Sequence, residues 1–248
     1  MDATTAASII LARLKIVDDE RERRRQVPNL HARVVAVKAY QQRRFIHTYA
    51  DLLRSERYAA ASHFFLDELY GPEDFRDRDA QFGRVVPALV RLFPKVIVNT
   101  VAQLAELHAV SEQLDSELAL QLDEQPLTAR SYVLAWQVAG RREDRDRQIA
   151  LTAQVAESLD GITRNALVRG SLRVMRGPAQ AAGLGDIQAF LELGFDTFRA
   201  MRGATEFVTT VRTREKALVS ALFAAGQLGP AQNESMSTCI ELLPPEGA

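Results

Sequence analysis

The chain has a single cysteine, Cys239, so no internal disulfide can form and no second thiol stands at metal-ligand spacing. A reducing cytoplasm is the setting this predicts. It has no basic excess: 31 Lys and Arg stand against 32 Asp and Glu, a net charge of -1, and such a balance disfavours electrostatic binding to a nucleic-acid backbone. No run approaches the roughly eighteen consecutive apolar residues that span a bilayer. The start, "MDATTAASIILARLKIVDDERERRR", places its charge after a short apolar run, the wrong order for a signal peptide. The alternating pattern of half-buried strands is missing, and so are the Gly-x-Ser-x-Gly, His-Glu-x-x-His, Walker and dinucleotide fingerprints. Ser62 beside His63 would point away from it on a helix, which leaves triad catalysis without support.

What is present is helical periodicity. Apolar residues recur at three- and four-residue spacing, Ala, Leu, Arg, Gln and Glu are abundant, and 47% of the 248 residues are hydrophobic. The pattern predicts an all-α fold, a single multi-helix bundle of about ten helices with no sheet, over residues 1–226. Asn29 is the N-cap of a helix running to about Ser55, Gly71-Pro72 stops the next, Pro87 kinks a third, and a long helix runs from about Val96 to Leu122. Thr128 caps a shorter one. The stretch "RGPAQAAGLGD", residues 176–186, concentrates three glycines and a proline and reads as a linker ending in an Asp186 N-cap, a possible sub-boundary. Residues 227–248 read as a loose C-terminal tail. In "DDERERRRQ" and "RREDRDRQ" acids interleave with arginines, so both read as solvated helix faces.

Winding each helix at about 100° per residue picks out charges on apolar faces. In "SHFFLDELYG", residues 62–71, His63 and Asp67 fall opposite the stripe of Tyr58, Phe65 and Leu69 and form a solvated pair, whereas Glu68 lies at the edge of the apolar arc. Along the long helix, His108, Glu112 and Asp115 make a polar column beside the leucines. With Glu68 they are candidate metal ligands, although the Glu-x-x-His pairs of helical di-iron sites are absent. His108 is the candidate haem ligand, the one histidine facing a core stripe deep within a helix. Arg78, beside Asp79, and Arg214, within the stripe of Phe207, Val211, Leu218 and Ala221, need partners if buried. The pattern predicts a buried polar network in which Glu68, Asp79 or Asp115 meets Arg78 or Arg214. Phe64 and Tyr40 fall off their helices' main stripes, leaving aromatic area for a partner or a second copy.

The combination of "FFLDELYGPEDFRDRD" at 64–79, "LAELHAVSEQLD" at 104–115 and "GFDTFRAMRGATEFVTTVRTREKAL" at 194–218 resembles a family of bacterial helical proteins of unknown function marked by an FFL-x-x-LYG-x-x-DF-x-x-RD signature. The resemblance covers most of residues 30–225 and implies one architectural unit, with no activity, cofactor or partner to carry over. The leading functional expectation is a non-enzymatic helical protein acting through an interaction surface, by a protein partner or self-association, with no cofactor. The alternative is a helical bundle holding haem, a di-metal centre or an apolar small molecule.

Overall fold

A 26-residue helix, Lys95–Leu120, about 39 Å long, is the axis around which the other helices assemble. The computed structural model describes residues 3–69, 76–122, 127–181, 183, 185–224 and 232–245. Among them the chain is helical with no strand. In order the helices are α1 (Ala3–Gln26), α2 (Leu30–Thr48), α3 (Ala50–Arg54), α4 (Ala59–Phe64) continued by a π-helical turn (Phe65–Leu69), α5 (Arg76–Leu92), α6 (Lys95–Leu120), α7 (Ala129–Ala139), α8 (Arg142–Thr163), α9 (Ala166–Ala181), α10 (Gly185–Ala200), α11 (Thr205–Ala224) and α12 (Gln232–Glu241). They pack on one another as a bundle: α1, α2, α5, α7 and α8 all touch α6, and α8 in turn supports α9, α10 and α11.

Local chemistry sets many of the boundaries. The Thr128 side chain accepts from the Ser131 N–H while Ser131 Oγ accepts from the Thr128 N–H, a reciprocal cap at the start of α7. Gly140, at φ 72, ends that helix. Asn29 opens α2 without a side-chain cap hydrogen bond; it sits instead in the left-handed region at φ 59, which Asn tolerates better than most residues. The helix expected up to Ser55 is interrupted at Tyr49, giving α2 and α3.

Among the described residues three large apolar clusters fill the interior, with a smaller one of Leu107, Val110, Leu114 and Leu151 between α6 and α8. The first joins α2, the C-terminal part of α6, α7, α11 and α12 around Tyr132 and Leu118. The second joins the end of α2, α3, α4, α8 and the α10–α11 corner around Tyr49 and Phe198. The third joins α1, α5, the first half of α6, α9 and α10 around Ile10 and Val86.

Two sequence expectations change here. The stretch 176–186 is mainly helical: Arg176 to Ala181 complete α9, with Pro178 inside it, and Gly185 already opens α10. The two helices pack against each other, so the glycines mark a turn between neighbours. The side chain of Asp186 lies outside the described residues. The tail 227–248 is not loose throughout, because α12 docks on α7 and α11 and buries Cys239 and Leu243 in the first cluster. The apolar residues at 236, 239 and 240 are spaced to give α12 one inward face, and Leu243 just beyond the helix joins the same cluster.

Candidate functional site

The stripe that buries α1, Ala6, Ile10, Leu14 and Val17, continues at the same three- and four-residue spacing through Arg21 and Arg24. These arginines therefore enter the interior beside α6, where Glu112 and Asp115 are 4% and 6% exposed. Arg24 Nη1 donates to Glu112 Oε2 at 2.5 Å, Nη2 to the Glu112 carbonyl at 2.7 Å, and Nε to Ser116 Oγ at 2.9 Å. Lys38 from α2 donates to the other carboxylate oxygen at 2.5 Å. One turn towards the start of α6, His108 Nε2 lies 3.0 Å from Asp79 Oδ2 of α5, and Arg21 Nη2 donates to the same oxygen at 2.6 Å. From α8, Arg145 lies 4.1 Å above the Trp136 ring and reaches the Leu114 carbonyl and Gln148.

Burial and charge compete at each carboxylate. For Glu112, burial raises the pKa, but the fields of Lys38, Arg24 and His108 and the Lys38 hydrogen bond outweigh it and hold the group down to about 2. Asp79 follows the same logic: burial is opposed by the hydrogen bonds and charges of His108 and Arg21, and the net direction is down. For Asp115 burial wins. The nearby Glu112 charge adds to it, the attractions of Lys38, Arg145 and Arg24 fall short, and its carboxyl is pushed up.

The column of His108, Glu112 and Asp115 does not assemble as a ligand set. Both Glu112 oxygens face cations and His108 Nε2 is engaged by Asp79, so the donor atoms are turned to hydrogen bonds. Among the described residues no group of three or more His, Cys, Asp or Glu is placed to hold a metal ion. The side chains of Glu68 and Arg78 lie outside the described residues.

Arg214 also departs from expectation. It meets neither Asp79 nor Asp115. Its Nη1 and Nη2 grip the two oxygens of Asp51 at 2.6 and 2.7 Å, Nη1 also reaches the Thr48 carbonyl, and the guanidinium stands 5.7 Å over the Tyr49 ring. This fork is half open to solvent, with side-chain exposures of 35% and 56%. One residue on, Glu215 accepts from Arg44 at 2.6 Å and from Tyr49 Oη at 2.7 Å. The residues that sequence reasoning missed are thus Arg21, Arg24, Lys38, Arg44, Asp51, Arg145 and Glu215. The continuing spacing of the α1 stripe was the signal for the first two.

The aromatic residues set aside for a partner are in the core. Phe64 is 5% exposed and stacks on Phe190 at 5.4 Å, and Tyr40 is 3% exposed with its ring 4.6 Å from Tyr132. His63 and Asp67 are exposed and 3.8 Å apart. The apolar crevice between α2, α8 and α11, lined by Phe45, Phe65, Ala156 and Phe207, offers only about 50 Å³, well below the roughly 300 Å³ at which small-molecule sites begin. No helix among the described residues is long and apolar enough to cross a membrane.

A sequence model of the family described as Domain of unknown function (DUF8198) matches residues 20–228, a span that contains every member of the network from Arg21 to Glu215. No curated protein and no solved structure matches the chain.

Proposed function

Proceeding from the chain's membership of the DUF8198 family, to which it belongs over residues 20–228, we propose that it is a non-enzymatic protein that works through an interaction surface on α9. The observation that supports the reading is the outward face of that helix. Leu167 and Val174, two turns apart, are 81% and 76% exposed while Val168, Leu172 and Ala179 are buried on the other side. A helix that has already buried one apolar face has no intramolecular use for a second, and paired exposed aliphatics mark a contact site. α9 contains no acid, and at about 100° per residue its arginines fall away from this face, Arg169 and Arg176 being paired with Asp196 and Glu192 of α10. The fitting occupant is a protein partner that presents apolar anchors of its own to Leu167 and Val174.

The reading takes the helices as one domain and the cytoplasm as the setting, supported by Cys239 being free and buried. The test compares the whole chain with a variant carrying Leu167→Glu and Val174→Glu. Partner capture from the native host, with the captured protein then tested as a purified pair, is abolished in the variant, while the unfolding free energy changes by less than about 0.5 kcal/mol. Undiminished capture by the variant, or a concentration-dependent dimer mass that the variant loses, refutes the proposed partner.

A further inference from the structure

Where the end of α8, the start of α9 and the turn from α10 into α11 meet, the surface dips into a concavity of about 570 Å³. Four arginines line it, Arg164, Arg169, Arg199 and Arg202, against one carboxylate, Asp160. That carboxylate is already engaged on both oxygens: Oδ1 accepts from the Ala204 N–H at 3.1 Å and Oδ2 from Arg164 at 2.5 Å. Asp196 stands 3.6 Å from Arg169 but is 63% exposed. Arg199 and Arg202 have no ion-pair partner among the described residues.

The rim is built, not incidental. Arg202 and Gly203 turn the chain with φ of 55 and 117, the second a conformation that favours glycine. Arg57, from the segment between α3 and α4, ties this turn down by donating to the Met201 carbonyl at 2.8 Å and the Gly203 carbonyl at 3.1 Å. Phe195 and Phe198, 4% and 0% exposed, close the floor. Like charges gathered in one concavity repel one another, and a multivalent anion relieves all of them at once.

We propose that this concavity binds a small phosphate-bearing molecule with two or more negative charges. Guanidinium forks match phosphate oxygens in pairs, and the volume falls in the roughly 300–1,000 Å³ range of small-molecule sites. The site is separate from the α9 contact face, since neither Leu167 nor Val174 lines it. The Leu167→Glu, Val174→Glu variant therefore keeps it.

Calorimetric titration of the full chain with pyrophosphate and with ADP is the test. Both bind with Kd below about 1 mM, and the variant combining Arg199→Ala with Arg202→Ala binds at least about tenfold more weakly. Its unfolding midpoint does not fall below the wild-type value, because among the described residues neither side chain has an ion-pair partner to lose. Arg176→Ala, outside the lining and paired with Glu192, leaves the affinity unchanged. Three outcomes overturn the proposal: no heat from either probe at several times that concentration, equal binding by the double variant, or binding to anionic phospholipid vesicles in preference to the soluble phosphates.

Discussion

Arg24 donates to three acceptors on neighbouring turns of α6 from a position 5% exposed. Replacing it by alanine strands Glu112 in the interior with only Lys38 left, and chemical denaturation should register a loss of about 3–5 kcal/mol. A variant joining Arg24→Met to Glu112→Leu should recover much of it, since Lys38, 16% exposed at its side chain, can turn its ammonium towards water. Arg214→Ala should cost only about 1 kcal/mol, because its fork with Asp51 is solvent-screened. If Arg214→Ala is the more damaging of the two, the assignment of the interior charge to Arg24 is wrong. Sequence reasoning placed Arg214 in the interior and the run that holds Arg24 in solvent, for a physical reason. The α11 stripe runs Phe207, Val211, Arg214, Leu218, but α11 passes from the second apolar cluster to the first, and its middle crosses the gap between them. A helical wheel averages over a helix and does not see such a gap. The run "DDERERRRQ", by contrast, looks solvated by composition, and only its phase relative to Ile10, Leu14 and Val17 reveals the two arginines that point inward.

The element that most resisted the sequence is α4 with its π-helical turn. Phe64, Phe65 and Leu66 are consecutive and each is 5% exposed, which an amphipathic helix with one buried face does not allow. The segment is covered on more than one side: Phe64 stacks on Phe190 of α10, while Phe65 meets Phe198 and Phe207. The change from α to π winding at Phe65 alters the angular step that the wheel assumes constant. Helix existence, by comparison, was legible nearly everywhere, because three- and four-residue spacing survives such local changes, and the Thr128 cap could be read from residue type alone. The packing of α4 on α10 makes a prediction. A Cβ at Gly194 would come 3.1 Å from the Phe64 ring, which is itself held between Phe190 and Phe65. Gly194→Ala should therefore lower the unfolding free energy by about 1 kcal/mol despite the gain in helix propensity. Gly161→Ala in α8, where a Cβ meets nothing within 4 Å, should raise it by about 0.5–1 kcal/mol. If the two substitutions move the midpoint in the same direction, the close approach at Gly194 is not what that position requires.

At the scale of the whole molecule, the buried carboxylates tie stability to pH in two opposite senses. Glu112 has a folded pKa of about 2, below the ordinary 4.5. A depressed carboxyl stabilises the fold fully above its unfolded value, and the contribution fades as the pH falls through that window. Its part amounts to about 3 kcal/mol, and Asp79, lowered by His108 and Arg21 against the cost of burial, fails in the same direction. Asp115 works the other way. Its folded pKa is raised by burial and by Glu112, so protonation as the pH falls through that raised value removes an unfavourable buried charge and the fold gains stability. As the pH falls, the unfolding free energy should therefore rise where Asp115 takes up its proton, above the ordinary 3.8, and drop between about pH 4.5 and pH 2. Each arm has its own variant. Asp115→Asn should flatten the rise while leaving or improving stability at neutral pH, and Glu112→Gln should start lower and lose most of the steep drop. Denaturation series repeated at low and high ionic strength separate interior from surface contributions, since the interior pairs are poorly screened by salt whereas the Arg214–Asp51 and Arg176–Glu192 pairs at the surface are not. A drop that persists undiminished in Glu112→Gln would transfer the acid lability to those surface pairs and leave the Arg24–Glu112 contact a matter of packing, with no part in setting the pH at which the bundle opens.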